Sequence, residues 1–214
     1  MIDNIAIAYR KANLGIISAM AGDTKDILYE AGFLNKGFLY SQVERIQQEL
    51  SIVSEEIKII IESNDNTQSG INRKNTLLEK REMLLYQLVF TASNDFSNLD
   101  KCISLLEGHS IPFGKCIEGM KAFAEGKEKE AFSILDSYYR NYQSVENHFL
   151  CNKTFGILLK NRAEYRQAIK FLTYALQQQS TDVECLDALE ECYKSIGKMN
   201  EKQSVNKIRR LLAK

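Results

Sequence analysis

An all-α fold is what the sequence predicts, and three observations predict it. A single proline, Pro112, stands in 214 residues, and proline is the residue that most strongly breaks helices. Apolar residues recur at spacings of three and four along almost the whole chain, the period of one helix face. Gly22, Gly32, Gly37, Gly108, Gly126 and Gly197 punctuate these periodic segments, and glycine accepts the left-handed conformation that closes a helix. With 44% hydrophobic and 26% charged residues the composition is globular, and the length suits one large domain or two small ones.

Residues 1–37 form N-terminal helices, in which Ile2, Ile5, Tyr9, Ala12, Ile16 and Ala19 make an apolar stripe that needs cover. Residues 38–92 read as a long helical hairpin. Leu39, Val43, Ile46, Leu50, Val53, Ile57 and Ile60 alternate spacings of four and three, a heptad seam flanked by Glu44, Arg45, Gln47, Gln48, Glu55, Glu56 and Lys58. The polar run "SNDNTQSGIN", residues 63–72, is an exposed loop. Leu77, Leu84 and Leu88 then continue the seam past an interruption at Arg81. The two helices fold back as an antiparallel, coiled-coil-like hairpin, or pair with a second copy as a homodimer.

Residues 93–214 carry small residues at regular places. In "GILLKNRAEYRQAIKFLTYAL" Gly156, Ala168 and Ala175 remove bulk where two backbones approach, while Phe155, Leu159, Tyr165 and Leu172 fill the surrounding space. Gly119, Gly126, Ala131, Leu135 and Tyr138 repeat the positions of Gly156, Ala163, Ala168, Leu172 and Ala175 at an offset of 37. Downstream, Leu186, Leu189, Tyr193 and Gly197 stand at the expected places, although Lys202 and Asn206 depart from them. Val205, Ile208 and Leu212 keep that last helix amphipathic, as in a capping unit whose outer face meets water.

This pattern resembles the tetratricopeptide repeat, a helix hairpin of about 34 residues. The resemblance covers residues 112–214, as units 112–148, 149–182 and 183–214. It implies antiparallel hairpins stacked into a right-handed superhelix. An irregular helical bundle with small residues at its crossings is the alternative. "MLLYQLVFTASNDFSNLDKCISLL" and "NLGIISAMAGDTKDI" have the layout of degenerate repeats.

Function classes narrow by charge and chemistry. Lys and Arg number 28, as do Asp and Glu, so no global field favours nucleic acid or an anionic membrane, and neither is an expected partner. Lys207, Arg209, Arg210 and Lys214 complement the dipole of a final helix. The N-terminus has no basic stretch ahead of an apolar core, and no apolar run approaches the roughly 18 residues that span a bilayer. Five cysteines without a CxxC pair suit reduced thiols and a cytoplasmic setting. His109 and His148 are the only histidines; with Cys151 three positions on, His148 falls short of a zinc ligand set. No phosphate loop or nucleophile elbow is present, and neither an enzyme, a metal nor a cofactor is expected.

By repeat position, the resemblance implies a concave groove lined by first-helix residues. Its lining includes Phe113, Cys116, Ile117, Met120 and Phe123, then Leu150, Lys153, Ile157 and Lys160, then Glu184, Asp187 and Glu191. Phe113, Met120, Phe123, Lys153, Ile157, Lys160, Asp187 and Glu191 are the expected partner-binding residues, apolar at one end and acidic at the other. Family members that clamp a terminal carboxylate place asparagine four positions after the groove lysine, whereas Ile157 follows Lys153 here. The expected role is a protein–protein interaction module, an adaptor or chaperone that binds a peptide or helix of another protein. A self-assembling structural or regulatory protein built on the 38–92 hairpin is the alternative.

Overall fold

The computed structural model describes residues 35–63, 67–109, 111–142 and 148–212, with side chains from residue 43 onward apart from that of residue 211. Helices α1 (Asn35–Glu62) and α2 (Gln68–Ala92) are followed by a 3-10 turn (Phe96–Asn98) and the short α3 (Leu99–Leu105). Then come α4 (Phe113–Ala124), α5 (Glu128–Asn141), α6 (Phe149–Asn161), α7 (Tyr165–Gln178), α8 (Val183–Ser195) and α9 (Met199–Leu212). No strand occurs among the described residues, so the fold is all-α. The stripe from Ile2 to Ala19, with Gly22 and Gly32, lies outside the described residues. Gly37, expected at a helix end, lies in the first turn of α1 instead.

The chain divides into compact units at Gly114/Lys115. Residues 93–114 therefore belong with the hairpin and not with the segment that follows.

In the unit of residues 36–114, the heptad seam becomes the core. Ile46, Val53 and Ile57 of α1 close on Leu84 and Leu88 of α2, with Val43, Leu50, Leu77 and Leu78 packed around them. Ion pairs bridge the antiparallel helices in this register: Lys80 to Glu49 at 2.9 Å and Arg73 to Glu56 at 3.8 Å. The connection is shorter than the polar run 63–72 predicts. The Thr67 hydroxyl accepts a hydrogen bond from the Gly70 amide at 3.1 Å and starts α2 there, and Gln68 donates to Asn72 one helical turn on. An N-cap thus recruits into helix five residues, 68–72, that composition alone assigns to a loop. Beyond α2, the chain turns through the Asp95-capped 3-10 turn, and α3 packs back to bury Leu99 and Cys102.

In the unit of residues 115–214, one stereochemical device recurs. A Cβ on Gly119 would stand 2.6 Å from Leu135 Cγ, and a Cβ on Gly156 would stand 2.8 Å from Leu172 Cγ and 3.1 Å from the Leu172 amide nitrogen. Both are closer than carbon atoms pack, so glycine is required for α4 to meet α5 and α6 to meet α7 at this distance. The turns repeat as well. Lys127 donates to the Ala122 carbonyl, Glu164 to Leu159 and Lys198 to Tyr193, each at 2.9 Å, closing α4, α6 and α8 in the same way. The residue before each donor is left-handed: Gly126 at φ 77°, Ala163 at 61° and Gly197 at 74°. Ala168, Leu172 and Ala175 of α7 are fully buried. Helix α7 packs on both α6 and α8, and α9 covers α8.

Candidate functional site

Helices α6 and α8 run side by side, and their facing residues form a ladder of opposite charges. Lys153 and Lys160 stand seven apart on α6; Glu184 and Glu191 stand seven apart on α8. The Lys153 ammonium lies 2.9 Å from Asp182 and 2.7 Å from Glu184, and Lys160 lies 2.9 Å from Glu191. On the other flank of α8, Arg209 of α9 reaches Asp187 and, at 3.7 Å, Glu190.

The rungs differ in burial, and burial decides their strength. Lys153 is 12% exposed and Asp182 13%, whereas Glu191 is 59% exposed. Burial works to lower the Lys153 pKa, but hydrogen bonds to Glu184 and Asp182 outweigh it and hold the ammonium charged above the usual lysine range. Asp182 has a second task, since its other oxygen accepts from the Cys185 amide at 2.8 Å and caps α8. One carboxylate thus fixes both the start of α8 and its distance from α6.

The expected binding residues separate into two groups. Lys153 and Lys160 stand on α6 and Asp187 and Glu191 on α8, and each is engaged in an ion pair within the chain. Phe113, Met120 and Ile157, expected to line an open groove, are buried instead, at 2%, 0% and 8% exposure. Phe113 stands in the 36–114 unit, its ring 5.2 Å from Phe90 and 6.0 Å from Tyr86 between centroids. These apolar side chains are core because the turns of helix bearing them face neighbouring elements, so the expected apolar end of the groove is closed. Phe123 is partly exposed.

The cysteines depart from the expectation of unpaired thiols. Cys116 of α4 and Cys151 of α6 are disulfide-bonded, their Cα atoms 6.6 Å apart and both side chains fully buried. The reason is packing: the approach of α4 to α6 brings together residues 35 positions apart, a pairing that no local spacing encodes. Closing a loop of this length stabilises the folded state by about 3–4 kcal/mol in the chain-entropy account. Cys102, Cys185 and Cys192 remain free and buried. Burial pushes the Cys102 thiol up to about 11 and the Cys192 thiol up to about 12. His148 is a buried cap whose Nδ1 accepts from the Cys151 amide at 3.0 Å. Among the described residues no group of three or more His, Cys, Asp or Glu is placed to hold a metal ion.

Within the 36–114 unit lies a cavity of about 760 Å³, which sequence reasoning missed. Val43, Leu88, Ala92, Cys102 and Leu105 give it an apolar lining, and Glu44, Gln47 and Lys101 stand among its polar residues. It forms where α3 folds back beside α1 and α2, a long-range arrangement with no sequence signal. Asp182 had one: an aspartate directly before an apolar periodic run is a helix start.

No protein-family model matches this chain, and no curated protein and no solved structure matches it either. Among the described residues no helix is long and apolar enough to cross a membrane.

Proposed function

We propose that the chain is a non-enzymatic interaction module whose stacked hairpins, tetratricopeptide-like in arrangement, present the α6–α8 face to a peptide or helix of another protein. The observation that carries this reading is the repeated device: glycine against leucine at Gly119 and Gly156, and the same closing turn at Gly126, Ala163 and Gly197. Repeated hairpins leave successive first helices adjacent, and an extended face of that kind is suited to holding a segment of chain.

The charge ladder shapes what that face accepts. A ligand with alternating charges could exchange partners with Glu191 and Lys160, whose bond is the more exposed rung and the weaker one. Adaptor or chaperone roles, and a cytoplasmic setting, belong to the same proposal. A photo-crosslinking residue at position 160 tests it against one at position 177 on α7. Crosslinking of one discrete partner from 160 alone is expected. Equal capture from both would remove the α6–α8 face.

Self-assembly through the hairpin is the second reading, favoured by Ile52 and Ile59. They stand seven apart on α1 and are 60% and 56% exposed. A discrete oligomer in light scattering that Ile52→Lys/Ile59→Lys dissolves would favour it.

A further inference from the structure

The disulfide joins elements that are otherwise successive layers. Cys116 lies in α4 and Cys151 in α6, so the bond closes a loop containing all of α5 and both connections that flank it. Its neighbourhood is built. Tyr139 of α5 places its hydroxyl 3.3 Å from Cys151 Sγ and donates to Asn152 Oδ1 at 3.0 Å. The Tyr139 ring stacks on Phe155, with centroids 4.8 Å apart, so α5 closes over the α6 side of the bond. Neither cysteine has any exposure to solvent.

We propose that the Cys116–Cys151 bond makes the docking of the first hairpin, α4–α5, onto α6 dependent on the thiol–disulfide state in which the chain folds. Two consequences follow from burial. A small thiol reaches these sulfurs only after the hairpin has undocked, so reduction is limited by that opening. The closed hairpin in turn holds the two sulfurs together, favouring the bond once it is docked. Cys102, Cys185 and Cys192 are buried as free thiols in the folded chain, so docking brings Cys116 and Cys151 to bonding distance and not these three.

Glutathione disulfide is a sufficient oxidant. One cysteine thiolate attacks a sulfur of the oxidant, forming a mixed disulfide and releasing one glutathione. The second cysteine attacks the protein sulfur of that intermediate, and the second glutathione leaves. The protein loses two electrons and two protons, and the oxidant leaves as two thiols.

The experiment compares the full chain refolded with glutathione disulfide and with dithiothreitol. Trypsin without reduction should release residues 116–121 bonded to residues 141–153 from the oxidised chain. Amides of α4 and α5 should exchange with deuterium at least ten-fold faster in the reduced chain, while those of α8 and α9 are unchanged. Cys116→Ser should reproduce the reduced pattern under both conditions, and Cys102→Ser should behave as the parent chain. The reduction rate should level off as dithiothreitol is raised. A linked peptide containing Cys185 or Cys192, no linked peptide, or equal exchange in α4–α5 would overturn the proposal. Because oxidised and reduced parent chains are themselves compared, the result stands even where Cys116→Ser fails to fold.

Discussion

The two units use side-chain volume in opposite ways. In residues 36–114, helices of 28 and 25 residues meet along a seam filled by large aliphatics, Ile46, Val53, Ile57, Leu84 and Leu88. In residues 115–214, helices of 12 to 14 residues meet where a side chain is missing, at Gly119 and Gly156, or is a single buried methyl group, at Ala168. A long seam distributes its contacts over many turns. A short crossing concentrates them at one point, so its tolerance for added atoms is small.

The largest expected effect lies in the seam. Leu88 is 2% exposed, and Leu88→Ala should cost about 2–5 kcal/mol through lost burial and the cavity left behind. The readout is residue-resolved hydrogen exchange within the unit, because two units need not unfold together. Loss below about 1 kcal/mol would mean that the hairpin collapses freely around the gap and that the seam is not the core.

Adding volume should reverse the ranking. Ala168→Leu and Gly156→Ala each bring atoms against α6 or Leu172 and should cost about 1–3 kcal/mol, although alanine is the better helix former by about 1 kcal/mol. Val53→Ile, which adds one methylene to the seam, should cost less than about 1.5 kcal/mol. Equal losses for Val53→Ile and Ala168→Leu would erase the contrast between the units.

These crossings were legible because repetition made them visible: Gly119 and Gly156, Gly126 and Ala163, and Leu135 and Leu172 share one offset, and each pair occupies equivalent geometry. The seam was legible from period alone. What could not be read was anything fixed by long-range approach. The Cys116–Cys151 pair, the cavity beside α3 and the burial of Phe113 and Met120 each depend on which helix faces which, and one helix face looks the same in sequence whether a neighbour or water covers it. The polar run 63–72 misled for a local reason, since composition hides the cap at Thr67.

The charge ladder gives a smaller effect with a defined pH dependence. Lys153→Met should weaken the α6–α8 contact by about 1–2 kcal/mol, being the more buried rung, while Lys160→Met should cost under about 1 kcal/mol. The folded pKa of Lys153 is raised above its unfolded value, so its contribution is full below the unfolded pKa, near 10.4, and is lost as pH rises through the higher folded value. The difference between the parent chain and Lys153→Met should therefore be constant from pH 7 to about 9 and shrink above about 10.5. Shrinkage that begins near neutrality would assign the effect to another group.

The smallest effect is a gain, and it tests the equivalence of the three turns most sharply. Ala163 holds φ 61° at the place where Gly126 and Gly197 stand at 77° and 74°. A Cβ in the left-handed region costs roughly 1–2 kcal/mol, whereas glycine enters it without that penalty but loses more chain entropy on folding. Ala163 is exposed, so its methyl group contributes little burial to offset the strain. Ala163→Gly should therefore stabilise the α6–α7 hairpin by about 0.5–1 kcal/mol, and Gly126→Ala should destabilise the preceding hairpin by a similar amount. Opposite signs for the two substitutions, read by exchange of the amides that donate to Leu159 and Ala122, are the expected result; a loss at both positions would show that the second turn reaches its left-handed residue by a different route from the first.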